Sequence, residues 1–229
     1  MATLILFDID GTLAATSEAD NRCFAKAFEQ TFGQPIPTTD WHAYTHVTDI
    51  GILGEISRTQ RGTELHSDEI ESFRTHYAEQ LRLAAEATPH QFAEVPGARK
   101  LMEHLAISND FQPGIATGGF RLTALFKLRN IGIDGLAYPA AFADDAISRA
   151  DIVRTAIARS GGPWDDAVYI GDGLWDMYTA ATLDMRFIGI THETGPERFQ
   201  QHGVTATLES YACLDTFWRA VEQANVPRH

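Results

Sequence analysis

Two carboxylates, Asp8 and Asp10, follow directly after the apolar run at residues 4–7. Four bulky apolar residues in a row are typical of a strand buried on both faces of a parallel sheet. Side chains alternate along a strand, so both carboxylates point to one side of its carboxyl end, where open α/β sheets bind ligands. Carboxylates this close repel unless a cation lies between them, and oxygen ligands without nearby Cys or His favour Mg²⁺. The alternative is a strand that ends in a polar Asp-Gly turn.

A second segment, residues 168–180, repeats the order of apolar strand, acidic residue and helix. Asp172 stands between two glycines at the predicted strand end, and Asp176 falls in the first helical turn, facing back toward it. Asp176 has another explanation, because acidic side chains stabilise helix N-termini, and Asp172 can be a turn residue. Two strand ends that both deliver carboxylates predict one metal site, shared with Asp8 and Asp10.

Two further segments carry groups suited to anion binding. Thr117 ends a predicted strand and Gly118-Gly119 open a helix, which places a hydroxyl beside exposed backbone amides. A Gly-Gly turn without a ligand is the plainer alternative. Ser148 fits the N-cap of another helix with Arg149 at its first position, where a positive charge and a helix N-terminus point to one spot. A solvated arginine is the alternative there.

Strand and helix patterns alternate along most of the chain and must position these groups. Short apolar runs predict buried strands at 3–9, 112–117, 136–143, 167–171 and 185–190. Amphipathic patterns predict helices between them. This alternation favours an α/β fold, with a Rossmann-like parallel sheet and helices on both of its faces.

The alternation breaks between the first strand and the rest of the predicted sheet. Phe24 and Phe28 recur at i+4 spacing, and Ser67 is placed as the N-cap of a later helix. No strand pattern of comparable quality falls in this stretch. We therefore expect two domains: an α/β catalytic core of residues 1–14 and 94–229, and an inserted α-helical cap of residues 15–93.

Charge and cysteine content restrict the partners and the compartment. The 229 residues carry a net charge of −13 and no basic run longer than Arg99-Lys100, which disfavours nucleic acid and anionic membranes as partners. The first apolar run is too short for a signal peptide or a transmembrane helix. Cys23 and Cys213 suit neither a zinc site nor a disulfide framework. We expect a cytoplasmic protein, and an anionic ligand would need a local positive site.

In this order, the four segments resemble the motifs of the haloacid dehalogenase superfamily of phosphotransferases, in particular phosphoglycolate-phosphatase-like members with a helical cap. Residues 8–12 (DIDGT) match the first motif, Thr117 the second, and residues 171–176 the fourth. Arg149 opens a helix where the basic third motif falls, although members more often carry lysine there. Arginine keeps the charge, but its planar fork has a different geometry.

The resemblance implies a Mg²⁺-dependent phosphatase that acts on a small phosphorylated metabolite, such as phosphoglycolate or a sugar phosphate. Asp8 would be the nucleophile that forms an aspartyl-phosphate, and Asp10 the general acid and base. Thr117, Gly118 and Arg149 would bind the phosphoryl group. The resemblance assigns Mg²⁺ to Asp8, the backbone carbonyl of Asp10, Asp172 and, directly or through water, Asp176.

The helical insertion falls where the family has its cap, which closes over the site and selects the substrate. Its segment 41–51 (WHAYTHVTDIG) is polar and aromatic, and both substrate contact and an ordinary helix–helix loop remain open for it. His42 and His46 have helical i+4 spacing but no third ligand, so no metal site is expected there. Arg121 is a second candidate for substrate contact.

Asp10 separates the alternative functions. Members that cleave carbon–halogen bonds or phosphonates lack this second aspartate, and both are disfavoured. A sugar-phosphate mutase would keep Asp8 and Asp10, and it differs by moving phosphate within the substrate instead of releasing it. A non-catalytic module that binds phosphorylated metabolites would be expected to lose Asp8, Asp10 or Asp172, all of which are present.

Overall fold

The first strand, β1, lies at the centre of the computed structural model, which describes residues 2–228. β1 spans Thr3–Phe7, and the four apolar side chains of residues 4–7 are fully buried. Leu4 and Leu6 pack into an apolar cluster on one side of the sheet, and Ile5 and Phe7 pack into another on the opposite side. The continuous apolar run therefore reflects helical layers on both faces, as predicted.

Six parallel strands form one sheet in the order β3-β2-β1-β4-β5-β6. The other strands are β2 Phe111–Ala116, β3 Ala140–Ala141, β4 Asp166–Gly171, β5 Arg186–Ile190 and β6 Thr207–Leu208. In this register Phe7 lies beside Ile115 on one side and Ile170 on the other. The residues that follow β1, β2 and β4 therefore meet at one edge of the sheet.

Helices cover both faces of the sheet. Those of the sheet region are α4 Ala98–Ala106, α5 Arg121–Asn130, α6 Arg149–Arg159, α7 Leu174–Thr182, α8 Glu197–Gln200 and α9 Leu214–Gln223. Leu101 of α4, Leu128 of α5 and Phe217 of α9 pack on one face. Ile152 of α6 and Met177 of α7 pack on the other. The predicted α/β fold class is confirmed.

Three helices between β1 and α4 share a third apolar cluster. They are α1 Ser17–Phe32, α2 Asp49–Ile56 and α3 Ser67–Ala87, with a single π-helical turn at Ser57–Arg61 after α2. Phe24 and Phe28 of α1 pack with Phe73 and Tyr77 of α3, so the i+4 spacing marks a buried helix face. We call α1–α3 the cap, and its bounds at residues 15–93 stay a prediction.

Three details differ from the sequence-based prediction. The strand expected at 136–143 is only Ala140–Ala141, because Pro139 cannot donate a ladder hydrogen bond and a 3₁₀ turn occupies Gly135–Ala137. β6 was not predicted, since two residues are too few to show a pattern. The N-cap of α3 is His66, one residue before Ser67, and Glu69 accepts its backbone N–H. None of the helices within residues 2–228 has the length and apolar character needed to cross a membrane.

Candidate active site

Asp8 and Asp172 face each other across the ends of β1 and β4. The backbone N–H of Asp8 donates to the Ile170 carbonyl at 2.9 Å, and only 4% of Asp8 is exposed. Gly11 adopts a left-handed φ of 68°, and a Cβ there would collide with the Asp172 carboxylate. Glycine therefore serves two purposes in the turn after β1: it allows the backbone conformation and it leaves room for Asp172.

Three of the four carboxylates predicted to share one metal site come together, and the Asp10 carboxylate is not among them. Asp8, Asp172 and Asp176 each offer a carboxylate oxygen, and the three oxygens lie within 4.8 Å of one another. Burial, together with Asp176 and Asp8, raises the pKa of Asp172 well above its usual range. One Asp8 oxygen, Oδ1, is buried and has no hydrogen-bond partner among the described residues. A hard divalent cation would satisfy that oxygen and remove the repulsion, so this donor set fits Mg²⁺.

Asp176 has a different environment from the other two carboxylates. It is fully buried, its Oδ2 accepts the Gly173 N–H at 3.0 Å, and its Oδ1 accepts the Tyr169 hydroxyl at 2.9 Å and Arg149 at 2.8 Å. Burial raises its pKa to about 7, opposed by Arg149 and helped by Asp8. Because both oxygens already have protein partners, Asp176 is better placed to orient Arg149 than to bind a metal directly.

Arg149 lies at the first position of α6, after the N-cap Ser148, as predicted. Its Nη1 lies 3.2 Å from Asp8 Oδ2, and its Nη2 donates to the Val47 carbonyl of the cap at 3.0 Å. Burial lowers the pKa of Arg149, but Asp176 and Asp8 outweigh burial and raise it well above its usual value. A permanent positive charge therefore stands beside Asp8.

Thr117 and Gly118 follow β2 and lie beside these groups. Thr117 is buried, and its hydroxyl accepts the Gly119 N–H at 3.3 Å. At Gly118, a Cβ would meet both Arg149 and the Val47 carbonyl, so the close approach of core and cap requires glycine. The prediction that Gly118-Gly119 open a helix is wrong: α5 begins at Arg121, since the chain first turns through an extended N-cap at Phe120.

Asp10 belongs to a hydrogen-bond network that joins the core to the cap. Its Oδ1 accepts the Thr16 hydroxyl at 2.6 Å, and its Oδ2 accepts the Lys127 ammonium at 2.5 Å. Lys127 also donates to Asp20 of α1 at 2.7 Å, and the Tyr77 hydroxyl of α3 donates to the same Asp20 oxygen at 2.5 Å. Both oxygens of the Asp10 carboxylate are thus held in place.

Lys127 was not predicted as a site residue. Its side chain is only 1% exposed. On a helical wheel Lys127 shares a face with Ala124 and Leu128, which are buried in α5. A lysine on the apolar face of a predicted helix was the one indication in the sequence that this side chain is buried. Burial lowers the pKa of Lys127, but Asp10 and Asp20 outweigh burial and raise it above its usual value. The lysine is therefore a buried cation that offsets two carboxylates.

A cavity of about 130 Å³ lies between the cap and the carboxyl edge of the sheet. The predicted site residues that line it are Asp8, Asp10, Thr117, Gly118, Arg149 and Asp172. The cap residues that line it are Ser17, Asp20, Asn21, Phe24, Trp41, Val47, Thr48, Asp49 and Ile52. The structure therefore brings the predicted residues to one cavity, with Asp176 directly behind Arg149.

The cap segment 41–51 contacts the core at the cavity rim. The Thr48 hydroxyl donates to the Ile147 carbonyl at 2.7 Å, and Asp49 Oδ2 accepts the Phe120 N–H at 2.7 Å. Thr48 is the N-cap of α2, so the last residues of this segment begin a helix and are not only a helix–helix loop. His42 packs against Trp175 with 5.4 Å between ring centroids.

Arg121, the second candidate for substrate contact, does not line the cavity. Its side chain is 45% exposed and lies over the Phe142 ring, 3.9 Å from Asp145. This expectation is therefore wrong.

Comparisons with known proteins identify the family and the fold. Residues 2–184 match the family model described as haloacid dehalogenase-like hydrolase. A hydrolase from Pseudomonas syringae is similar in structure, with a TM-score of 0.75 and 21% identity over 96% of this chain and 99% of that chain. CbbY from Rhodobacter sphaeroides, solved in complex with phosphate, gives a TM-score of 0.69 and 21% identity over 93% and 96%.

A third structure, a HAD hydrolase of family IA, variant 3, from Entamoeba histolytica HM-1:IMSS, gives a TM-score of 0.67 and 16% identity over 97% of this chain and 100% of that chain. At these identities the similarity of the structures shows the fold. No curated protein matches the sequence.

Proposed function

The chain belongs to the haloacid dehalogenase-like hydrolases, and we propose that it is a Mg²⁺-dependent phosphatase of a small phosphomonoester. One observation carries the proposal. The buried carboxylate of Asp8 lines the cavity and has one oxygen without a hydrogen-bond partner among residues 2–228, while Arg149 lies 3.2 Å from its other oxygen. A nucleophile beside a permanent cation is suited to attack on a phosphoryl group, whose negative charge must be offset.

In the first step, an Asp8 oxygen attacks phosphorus and forms an aspartyl-phosphate, and the bond from phosphorus to the leaving oxygen breaks. Asp10, which must take up a proton before this step, gives that proton to the leaving oxygen. Arg149, the Thr117 hydroxyl and the Gly118 N–H offset the charge on the phosphoryl oxygens. These groups line one cavity, so a single bound phosphate can reach all of them.

In the second step, a water molecule attacks phosphorus, Asp10 takes its proton, and the bond between phosphorus and Asp8 breaks. Asp10 is then protonated again and ready for the next substrate. Its carboxylate lines the cavity, and hydrogen bonds from Thr16 and Lys127 restrict its position. Release of inorganic phosphate completes the reaction.

Mg²⁺ would be held by Asp8, the backbone carbonyl of Asp10 and Asp172, with Asp176 as a partner through water. When bound, it supplies positive charge for the phosphoryl oxygens and for the nucleophile. The unpartnered oxygen of Asp8 and the raised pKa of Asp172, which burial and neighbouring carboxylates cause, support this donor set. The hydrogen bonds already made by Asp176 support its indirect role.

Phosphate release from a panel of phosphorylated metabolites tests the proposal. With Mg²⁺ the wild-type protein should release phosphate from at least one compound, and EDTA should abolish release. Asp8→Asn should abolish it too, because the amide is a far weaker nucleophile. Asp110→Asn, the same change at an exposed residue before β2 that does not line the cavity, is the matched control and should retain full activity.

Release that survives both EDTA and Asp8→Asn would refute the mechanism. Phosphate that moves to another position of the substrate without release would identify the mutase alternative. Binding of phosphorylated compounds with neither release nor transfer would identify the non-catalytic module.

A further inference from the structure

The cavity has one positively charged lining residue, and that residue is already engaged at the reaction centre. Among the described residues that line it, Arg149 is the only Lys or Arg, and its guanidinium contacts Asp8 and Asp176. The Mg²⁺ proposed above would lie at Asp8 as well. Both positive charges therefore serve the phosphoryl group that reacts.

Other cations near the cavity have their charges directed elsewhere. Lys127 is 1% exposed, and its ammonium donates to Asp10 and Asp20. Arg198 does not line the cavity; it donates to the backbone carbonyl of Asp172, and its guanidinium lies over the Phe199 ring. Neither is among the residues that line the cavity, so neither presents its charge to a ligand bound there.

The cap side of the cavity is acidic, polar and aromatic. Asp20 and Asp49 face it together with Asn21 and the rings of Phe24 and Trp41. The Trp41 indole N–H donates to the Asn21 side-chain oxygen at 2.8 Å, which orients the amide group of Asn21 and leaves its NH₂ as a donor. Hydroxyl groups and an apolar carbon skeleton have partners on this side.

Asp49 adds a carboxyl group to the cap side of the cavity. Its Oδ2 accepts the Phe120 N–H, which holds the carboxyl beside the Gly118-Gly119 turn. Burial raises its pKa to about 8, and Asp20 adds to the shift. Ionised, Asp49 repels an anion; protonated, it donates one hydrogen bond and no positive charge.

We infer that the substrate is a phosphomonoester whose remaining part carries no second phosphate or carboxylate. This inference rests on the proposed function and narrows its substrate class. An anionic group that lies against this lining without a counterion loses part of its hydration and gains no ion pair. The inference favours sugar and polyol monophosphates over phosphoglycolate, which carries a carboxylate beside its phosphate.

Calorimetric titration of the Asp8→Asn variant with Mg²⁺ present tests the inference without turnover. Two matched pairs of ligands are compared: 2-hydroxyethyl phosphate with phosphoglycolate, and fructose 6-phosphate with fructose 1,6-bisphosphate. In at least one pair the ligand without the second anionic group should bind on the order of 30-fold more tightly, since an unpaired or like charge against this lining costs affinity strongly.

Asp49→Lys and Asp49→Asn then assign the preference to charge. Asp49→Lys adds a cation and should strengthen binding of the ligand that carries the second anionic group. The preference should therefore fall to about tenfold or less. Asp49→Asn removes the acid without adding a cation and should keep the preference. Circular dichroism tests whether each variant is folded. If Asp49→Lys does not fold, the two ligand pairs still test the inference, because they are measured with Asp49 unchanged.

Equal or tighter binding of the ligand with the second anionic group in both pairs would overturn the inference. No binding by any of the four compounds would also overturn it. The proposed function fails differently. The esters without a second anionic group could bind preferentially while the wild-type protein with Mg²⁺ releases no phosphate from them. In that case the binding preference stands and the phosphatase proposal is wrong.

Discussion

Removal of the buried ammonium in Lys127→Met would leave two carboxylates facing each other without a counterion. Lys127 is 1% exposed and lies 2.5 Å from Asp10 and 2.7 Å from Asp20. Loss of one partner from a buried ion pair costs about 3–5 kcal/mol. This is a large part of the roughly 5–15 kcal/mol by which a domain is stable. For a chain of this size we expect the melting temperature to fall by roughly 6–20 °C.

The penalty should depend on pH, because Asp20 can take up a proton. Burial and Asp10 raise the pKa of Asp20 to about 6 while Lys127 lowers it, so loss of the lysine raises it further. A protonated Asp20 no longer repels Asp10. The difference in stability between the wild type and Lys127→Met should therefore be smaller at pH 5 than at pH 8.

Urea denaturation followed by circular dichroism measures both effects. The double variant Lys127→Met/Asp20→Asn is the matched control, since it removes the lysine and one of the two carboxylates that it serves. We expect the double variant to regain about half of the lost free energy of unfolding. A loss below about 1 kcal/mol in Lys127→Met, or a double variant no more stable than the single one, would refute the reasoning.

Three other perturbations follow from the site. The Asp49 carboxyl has a pKa of about 8 in the folded protein and 3.8 normally, so the unfolded chain releases this proton more readily and stability should fall as pH rises from 4 to 8. We expect the free energy of unfolding to fall by on the order of 2–4 kcal/mol over this range in urea denaturation, and Asp49→Asn should abolish that fall. Gly11→Ala should weaken Mg²⁺ activation about 10–100-fold by displacing Asp172, whereas Gly33→Ala, at a similar φ with open space, should lose only stability. Arg149→Met should lower kcat/KM about 10³-fold and Arg149→Lys about tenfold, and equal losses would argue against a role for the charge.

The parts that follow from strand direction could be predicted from the sequence. The run before Asp8 marks a strand buried on both faces, and the strands before Thr117 and Asp172 are parallel neighbours of it. Parallel strands end at one edge, so three separate segments bring their polar residues together. Ser148 and Arg149 were located by the helix-capping pattern, which is local in the sequence.

The parts that depend on distant contacts could not be predicted. Lys127 pairs with residues that are more than 100 positions away, and a lone lysine in an amphipathic helix is normally solvated. The Tyr169 hydroxyl was overlooked because Tyr169 lies inside a strand and reads as apolar core. The position of Asp49 beside Phe120 depends on how the cap packs on the core, which no local pattern encodes.

The central claim is that Asp8 carries the phosphoryl group between the two steps. Acid quenching of the protein during turnover with Mg²⁺ and a cleaved phosphomonoester, followed by peptide mass spectrometry, tests it most directly. We predict one phosphoryl group on Asp8 in the peptide that contains residues 4–11, and none in Asp8→Asn. Continued turnover with that peptide unmodified, or with the phosphoryl group on another residue, would contradict the claim.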